Sequence, residues 1–180
     1  RGNDRDIFNM TIDYIIIDYI TGKPLRNIGS EACRQKFEKF LVEQKGYAKQ
    51  DILVDKKLIV QFKGEDYISA IDLIVGCREK ALMAITCVAG SIGSYEREIL
   101  AGARLVYDFQ IPFAVSTDAK DAVVMDTISG KKKGQGLDAI PSKEEALKLI
   151  ETMEYISFDK TRKEREMIIY RSFNMEKVNI

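Results

Sequence analysis

Alternating and helical periods of apolar residues follow one another along the chain. IIIDYITGKPL sets a β-branched run against a Gly-Lys-Pro turn and predicts a short strand, then a turn. After Ser30, EACRQKFEKFLVEQKGY puts Cys33, Phe37, Phe40, Leu41 and Gln44 on one helical stripe closed by Gly46. Arg34, Lys36, Glu38 and Glu43 are expected on the opposite, solvated side. DILVDKKLIVQF, YISAIDLIVGC and LMAITCVAG, separated by KGED and REKA, read as a meander of three antiparallel strands. GSIGS then leads into YEREILAGARLVYDF, a second amphipathic helix through Ile99, Leu100, Ala103 and Val106. PFAVS and AVVMD are two further strands, and the glycine-containing ISGKKKGQGLDAIP predicts a loop. Ser142 with Glu145 forms a capping box for a helix to about Glu154, and DKTRKEREMIIYRSF is a charged helix. This order predicts an α/β fold with a mixed central β-sheet flanked by α-helices.

The 180 residues suffice for one sizeable core, so a single domain over 1–180 is expected. Its parts are an extension with a short strand over about 1–28, a core over 30–126, and C-terminal helices over 142–180. The 28 basic and 28 acidic side chains cancel. No global field therefore draws the protein to nucleic acid or to an anionic membrane, and any such binding must be local. The apolar runs fall far short of the roughly 20 residues of a membrane span, and no signal-peptide pattern opens the chain.

Cys33, Cys77 and Cys87 form neither a Cys-x-x-Cys pair nor an even disulfide framework, which fits a reducing cytoplasm with thiols packed as small apolar groups. The chain contains no histidine. Imidazole-based triads and His-containing zinc sites are excluded, leaving Asp, Glu, Lys, Tyr and water for acid–base work.

In AIDLIVGCREKALMAITCVAG one aspartate, Asp72, interrupts an apolar hairpin. Asp72 shares a strand face with Ile68, Ala70 and Ile74. If Cys77 pairs with Leu82, Asp72 lies across from Cys87; a shift of one residue puts Thr86 opposite instead.

The sequence resembles the N-terminal nuclease-like domain of type I restriction enzyme R subunits, a branch of the PD-(D/E)xK superfamily. It is similar in particular to small bacterial and archaeal proteins that carry that domain alone. The matching residues are DYITGKPL (18–25), RQKFEKFLVEQKGY (34–47), AIDLIV (70–75), AGARLVYDFQIPFAVST (101–117) and GLDAIPSKEE (136–145), which together span most of the chain. The resemblance implies a restriction-endonuclease-like sheet with a metal site on the middle hairpin. Phosphodiester hydrolysis needs a hard cation, carboxylates to hold it, and a lysine to stabilise charge. Asp72 matches the first acid, whereas Thr86 stands at the second acid and Val88 at the lysine. A threonine hydroxyl carries no charge, and a valine offers nothing to a phosphoryl oxygen.

Three functions follow. The leading expectation is a domain with a degenerate active site that binds DNA or RNA or serves as an interaction module. The second is an active magnesium- or manganese-dependent endonuclease in which Asp72 works with a relocated acid such as Glu31, or with Glu96, Arg97 or Glu98. The third is a structural or protein-interaction domain, and a homodimer is compatible with all three. Lys131, Lys132 and Lys133, together with Arg97, are the candidate phosphate contacts, set against the simpler reading of a solvated turn. GSIGS lacks the ending of a P-loop and supports no nucleotide site.

Overall fold

The computed structural model describes residues 14–177; the opening RGNDRDIFNM lies outside the described residues. A small hairpin of β1 (Ile15–Ile17) and β2 (Pro24–Arg26) precedes α1 (Glu31–Glu43). The meander follows as β3 (Ile52–Phe62), β4 (Glu65–Cys77) and β5 (Lys80–Cys87). After it come α2 (Glu96–Leu105), β6 (Phe113–Thr117), β7 (Ala122–Asp126), β8 (Lys132–Gln135), α3 (Lys143–Thr152) and α4 (Lys163–Lys177).

Strands β3 to β8 lie side by side in sequence order. Every neighbouring pair is antiparallel except β5 and β6, which are parallel and joined by α2. This is the expected mixed sheet between helices. One layer packs Phe37 and Leu41 of α1 and Ala146 and Ile150 of α3 against Leu73, Val75, Met83, Ile85 and Val115. The other packs Ile99, Leu100, Ala101 and Ala103 of α2 and Tyr170 of α4 against Ile71, Ile74, Ala84, Ala114 and Val123. Adjacent Ala114 and Val115 on β6 enter opposite cores, as the period of two requires. The capping box of α3 is formed as expected: Glu145 N–H donates to Ser142 Oγ at 3.2 Å, and Ser142 N–H donates to Glu145 Oε2 at 2.7 Å.

Three expectations are corrected. IIIDYITGKPL supplies two paired strands, with Ile16 opposite Leu25, rather than one strand and a turn. ISGKKKGQGLDAIP is not all loop: β8 pairs its Gly134 with Val124, so the buried strand β7 gains a second hydrogen-bonding partner. Its glycine content signals close packing there, because a Cβ at Gly134 would lie 2.8 Å from Ala139 Cβ. Arg34 and Glu38 of α1 are not on a solvated face. They are 4% and 0% exposed, because the β1–β2 hairpin lies over that side of the helix and its Asp18 meets Arg34.

A charged network fastens α2 to α4. Arg97 donates to both carboxylate oxygens of Glu166, at 2.6 and 2.8 Å, and Arg104 donates to Oε1 at 2.9 Å and to the Thr127 carbonyl at 3.0 Å. Burial alone would raise the Glu166 pKa, but the two guanidinium groups outweigh it and hold the carboxyl below its ordinary range. Replacing Glu166 with alanine leaves Arg104 buried without its counter-charge. Glu166→Ala is expected to cost about 3–5 kcal/mol in urea unfolding. A loss under about 1 kcal/mol would show the network to be no stronger than an exposed ion pair.

Candidate functional site

The β4–β5 turn consists of Arg78 and Glu79, both with positive φ (49° and 63°), the geometry of a two-residue hairpin. Cys77 pairs with Lys80 and Gly76 with Ala81, after which a bulge shifts the register so that Val75 meets Met83 and Leu73 meets Ile85. Continuing this register sets Asp72 across from Thr86, the second of the two alternatives left open by the sequence.

Asp72 sits where β4 changes face. Ile71 belongs to the α2–α4 core and Leu73 to the α1–α3 core. On β3, Asp55 lies at the corresponding point with φ +52°, between the paired positions Val54 (to Leu73) and Lys56 (to Ile71). The half-buried Asp72 carboxylate turns toward β5, and its Oδ2 accepts the Cys87 N–H at 2.7 Å and the Thr86 hydroxyl at 3.3 Å. Val88 is 3% exposed, and its N–H donates to the Thr117 carbonyl at 2.9 Å. The three motif positions therefore gather at the carboxyl ends of the parallel strands β5 and β6, where open α/β sheets carry their ligand sites. They bring one carboxylate, one hydroxyl and one buried alkyl group.

Magnesium and manganese need oxygen ligands with charge. Of the three motif positions Asp72 alone is charged, and one of its oxygens already serves the β5 backbone. Among the described residues no group of three His, Cys, Asp or Glu side chains is disposed to hold a metal ion. These residues do not fit a divalent-ion site of the kind the resemblance implies.

Glu31 is engaged elsewhere. Its Oε1 accepts from Arg34 Nε at 2.8 Å and from Gln35 Nε2 at 3.1 Å. Arg34 is the hub of a cluster that the sequence reading missed. Its Nη1 donates to Asp55 at 2.7 Å, Nη2 lies 3.4 Å from Asp18, and Nε lies 3.7 Å from Glu38. Burial would lower the Arg34 pKa, but Asp55 and Glu31 overcome this and raise it. One guanidinium thus faces four carboxyl groups. The spacing of Glu31, Arg34 and Glu38, three and four residues apart, was a readable signal for ion pairing along one helix face.

Glu38 carries the cost of this arrangement. It is fully buried, and neither side-chain oxygen has a hydrogen-bond partner. Burial, reinforced by the charge of Asp18 and only partly opposed by Arg34, pushes its pKa up to about 8.

The remaining candidates lie apart from the hairpin's motif. Lys131, Lys132 and Lys133 are exposed at the start of β8, and the Lys132 ammonium bonds to Gln135. Arg97 is held by Glu166 as described, Glu96 begins α2, and Glu98 is buried with Oε1 accepting from Asn174 at 3.0 Å. The GSIGS segment forms a short 3-10 turn over Ile92–Tyr95, pinned by the Ser116 hydroxyl to the Ile92 carbonyl at 2.7 Å. All three cysteines are free, with Cys77 and Cys87 buried and Cys33 half-buried.

Two predictions follow from these bonds. The folded protein keeps the Glu38 proton to about pH 8, whereas the unfolded chain releases it near 4.5. The Glu38 contribution to stability is then full below the lower value and falls as pH rises through this window, by at most about 1.4 kcal/mol per pH unit. Glu38→Gln should flatten that fall, measured as unfolding free energy from acid to mildly alkaline pH; an unchanged slope would assign the titration to another group. Asp72→Ala strands the Cys87 N–H and should cost about 1–3 kcal/mol, with Asp72→Asn milder because its carbonyl oxygen still accepts. Equal losses in the two variants would contradict the hydrogen-bond account.

A family model for the N terminus of the type I restriction enzyme R protein (HSDR_N) matches residues 29–141. No curated protein matches the chain. Among solved structures, a fragment of an HsdR subunit of a type I restriction enzyme from Vibrio vulnificus YJ016 is similar at 17% identity and a TM-score of 0.48. The similarity covers 67% of this chain and 24% of that one, so the chain spans about a quarter of that fragment's length. No helix among the described residues is long and apolar enough to cross a membrane. With the family model spanning more than half of its length, the chain belongs to the type I restriction enzyme R protein N-terminal family, and its fold is a six-stranded mixed sheet flanked by helices.

Proposed function

We propose that this chain is a nuclease-like domain that binds DNA or RNA with little or no catalysis of its own. One observation carries the reading: at the hairpin where a PD-(D/E)xK nuclease would set two acids and a lysine, Asp72 is committed to the β5 backbone while Thr86 and Val88 supply no charge. Losing one preorganised donor alone typically costs about 10²- to 10³-fold in rate, and the second acid is missing as well. Retention of the family's fold and of a surface with local clusters of lysine supports binding without turnover. Free thiols fit a reducing cytoplasm, where nucleic acid is available.

Fluorescence anisotropy with labelled single- and double-stranded DNA and RNA tests the binding. Salt-sensitive association tighter than about 100 µM is expected, and its absence for every nucleic acid would favour a protein-interaction domain. Incubation of the same substrates with magnesium or manganese should give no cleavage above background. Cleavage that Asp72→Ala abolishes would overturn the reading in favour of an active endonuclease with a relocated acid and base.

A further inference from the structure

The strongest unassigned feature is a cleft of about 540 Å³ between the β1–β2 hairpin and α1. One wall is basic, with Lys36 and Lys39 on the helix and Lys49 at its lower end; the other is apolar, with Ile16 and Ile17 on β1. Ile17 is 63% exposed, and the neighbouring Tyr14 and Ile15 are exposed to a similar degree. Tyr19 also lines the cleft and holds two of the cations. The Lys49 ammonium sits 4.2 Å and the Lys39 ammonium 5.7 Å from its ring centre, and Lys49 also bonds to the Tyr19 carbonyl.

The acids of this region are occupied. Asp18 is 1% exposed and accepts N–H groups from Ile20 and Thr21, the Gln35 amide and the Arg34 guanidinium. Burial would raise its pKa, but those donors hold it low. Glu43 is turned to the Tyr19 hydroxyl at 3.2 Å. The cleft therefore offers two ammonium groups held at Tyr19, with Lys36 lining the same wall, beside exposed isoleucine surface.

We infer that this cleft binds single-stranded nucleic acid, with phosphates along Lys36, Lys39 and Lys49 and base or sugar faces against Ile16 and Ile17. A single strand presents both surfaces at once, a charged backbone and unpaired base faces, and non-specific binders of single strands pair a basic groove with a surface for the bases, aromatic in the usual case and here isoleucine beside Tyr19. A duplex hides its base faces and would use the basic wall only. The inference rests on the nucleic-acid reading above and changes its location, from the lysines of β8 to the hairpin–α1 cleft.

The test is anisotropy with a short labelled single strand, DNA and RNA, between about 50 and 200 mM salt. The wild-type chain is compared with Lys36→Ala/Lys39→Ala, with Ile17→Ser, and with Lys131→Ala/Lys132→Ala/Lys133→Ala. All substituted residues are exposed, and circular dichroism with thermal unfolding checks each fold. Removing two phosphate contacts should weaken binding roughly 20-fold near 0.1 M salt and reduce the salt slope by about 1.4. Ile17→Ser should weaken binding with the slope unchanged, and the β8 variant should bind like wild type. Binding by the wild type that survives loss of Lys36 and Lys39 but falls in the β8 variant would overturn the cleft and leave the nucleic-acid reading standing. Tighter binding of duplex than of single strand, with no effect of Ile17→Ser, would overturn the single-strand assignment. Absence of binding by the wild type to any nucleic acid would overturn both.

Discussion

A side chain at position 76 would begin 2.1 Å from the carbonyl oxygen of Lys80, so only glycine lets β4 and β5 approach as they do beside their turn. That approach accompanies the bulge after Val75, and the bulge decides which residue of β5 stands across from each residue of β4. Without the one-residue shift Asp72 would face Ile85; with it, Asp72 faces Thr86 and caps the Cys87 N–H. The next backbone donor, at Val88, is taken by Thr117 of β6, so the carboxylate and the parallel strand together complete the ladder at the end of β5. The place of Thr86 and Cys87 beside Asp72 follows from that alignment.

Much of this was legible in the chain. The three-strand meander, the strands PFAVS and AVVMD and the capped helix at Ser142 have strong local signals, and each formed where its pattern placed it. That Thr86 and Val88 bring no charge beside Asp72 could also be read, because a hydroxyl and an alkyl side chain are neutral in any fold. What stayed hidden depended on contacts between distant segments. Arg34 and Glu38 look like ordinary surface charges until the β1–β2 hairpin covers them. β8 looks like a loop because lysines and glycines are poor strand formers, and only the unpaired side of β7 makes pairing there favourable. A one-residue bulge leaves no trace in periodicity, so the partner of Asp72 had to come from geometry.

The balanced composition conceals an uneven distribution. On the α1 side one guanidinium is surrounded by four carboxyl groups, whereas on the α2 side two guanidinium groups share one carboxylate. Each network joins elements distant in sequence and restricts how they can shift. The cost differs: Glu166 is fully bonded by its partners, while Glu38 is left with neither oxygen hydrogen-bonded. Removing Glu166 strands the buried Arg104 charge, whereas Glu38 avoids a stranded charge by keeping its proton.

β8 closes the sheet on its outer side, and a strand with a free side can recruit a matching strand from another molecule. Here Lys131, Lys132 and Lys133 crowd the start of that strand. Two copies approaching side by side through β8 would bring six ammonium groups together, a repulsion that grows as salt is lowered. The bulge between Val124 and Met125 also distorts the local ladder that an incoming strand would have to continue. A tract that invites comparison with phosphate binders thus also disfavours edge-to-edge growth of the sheet.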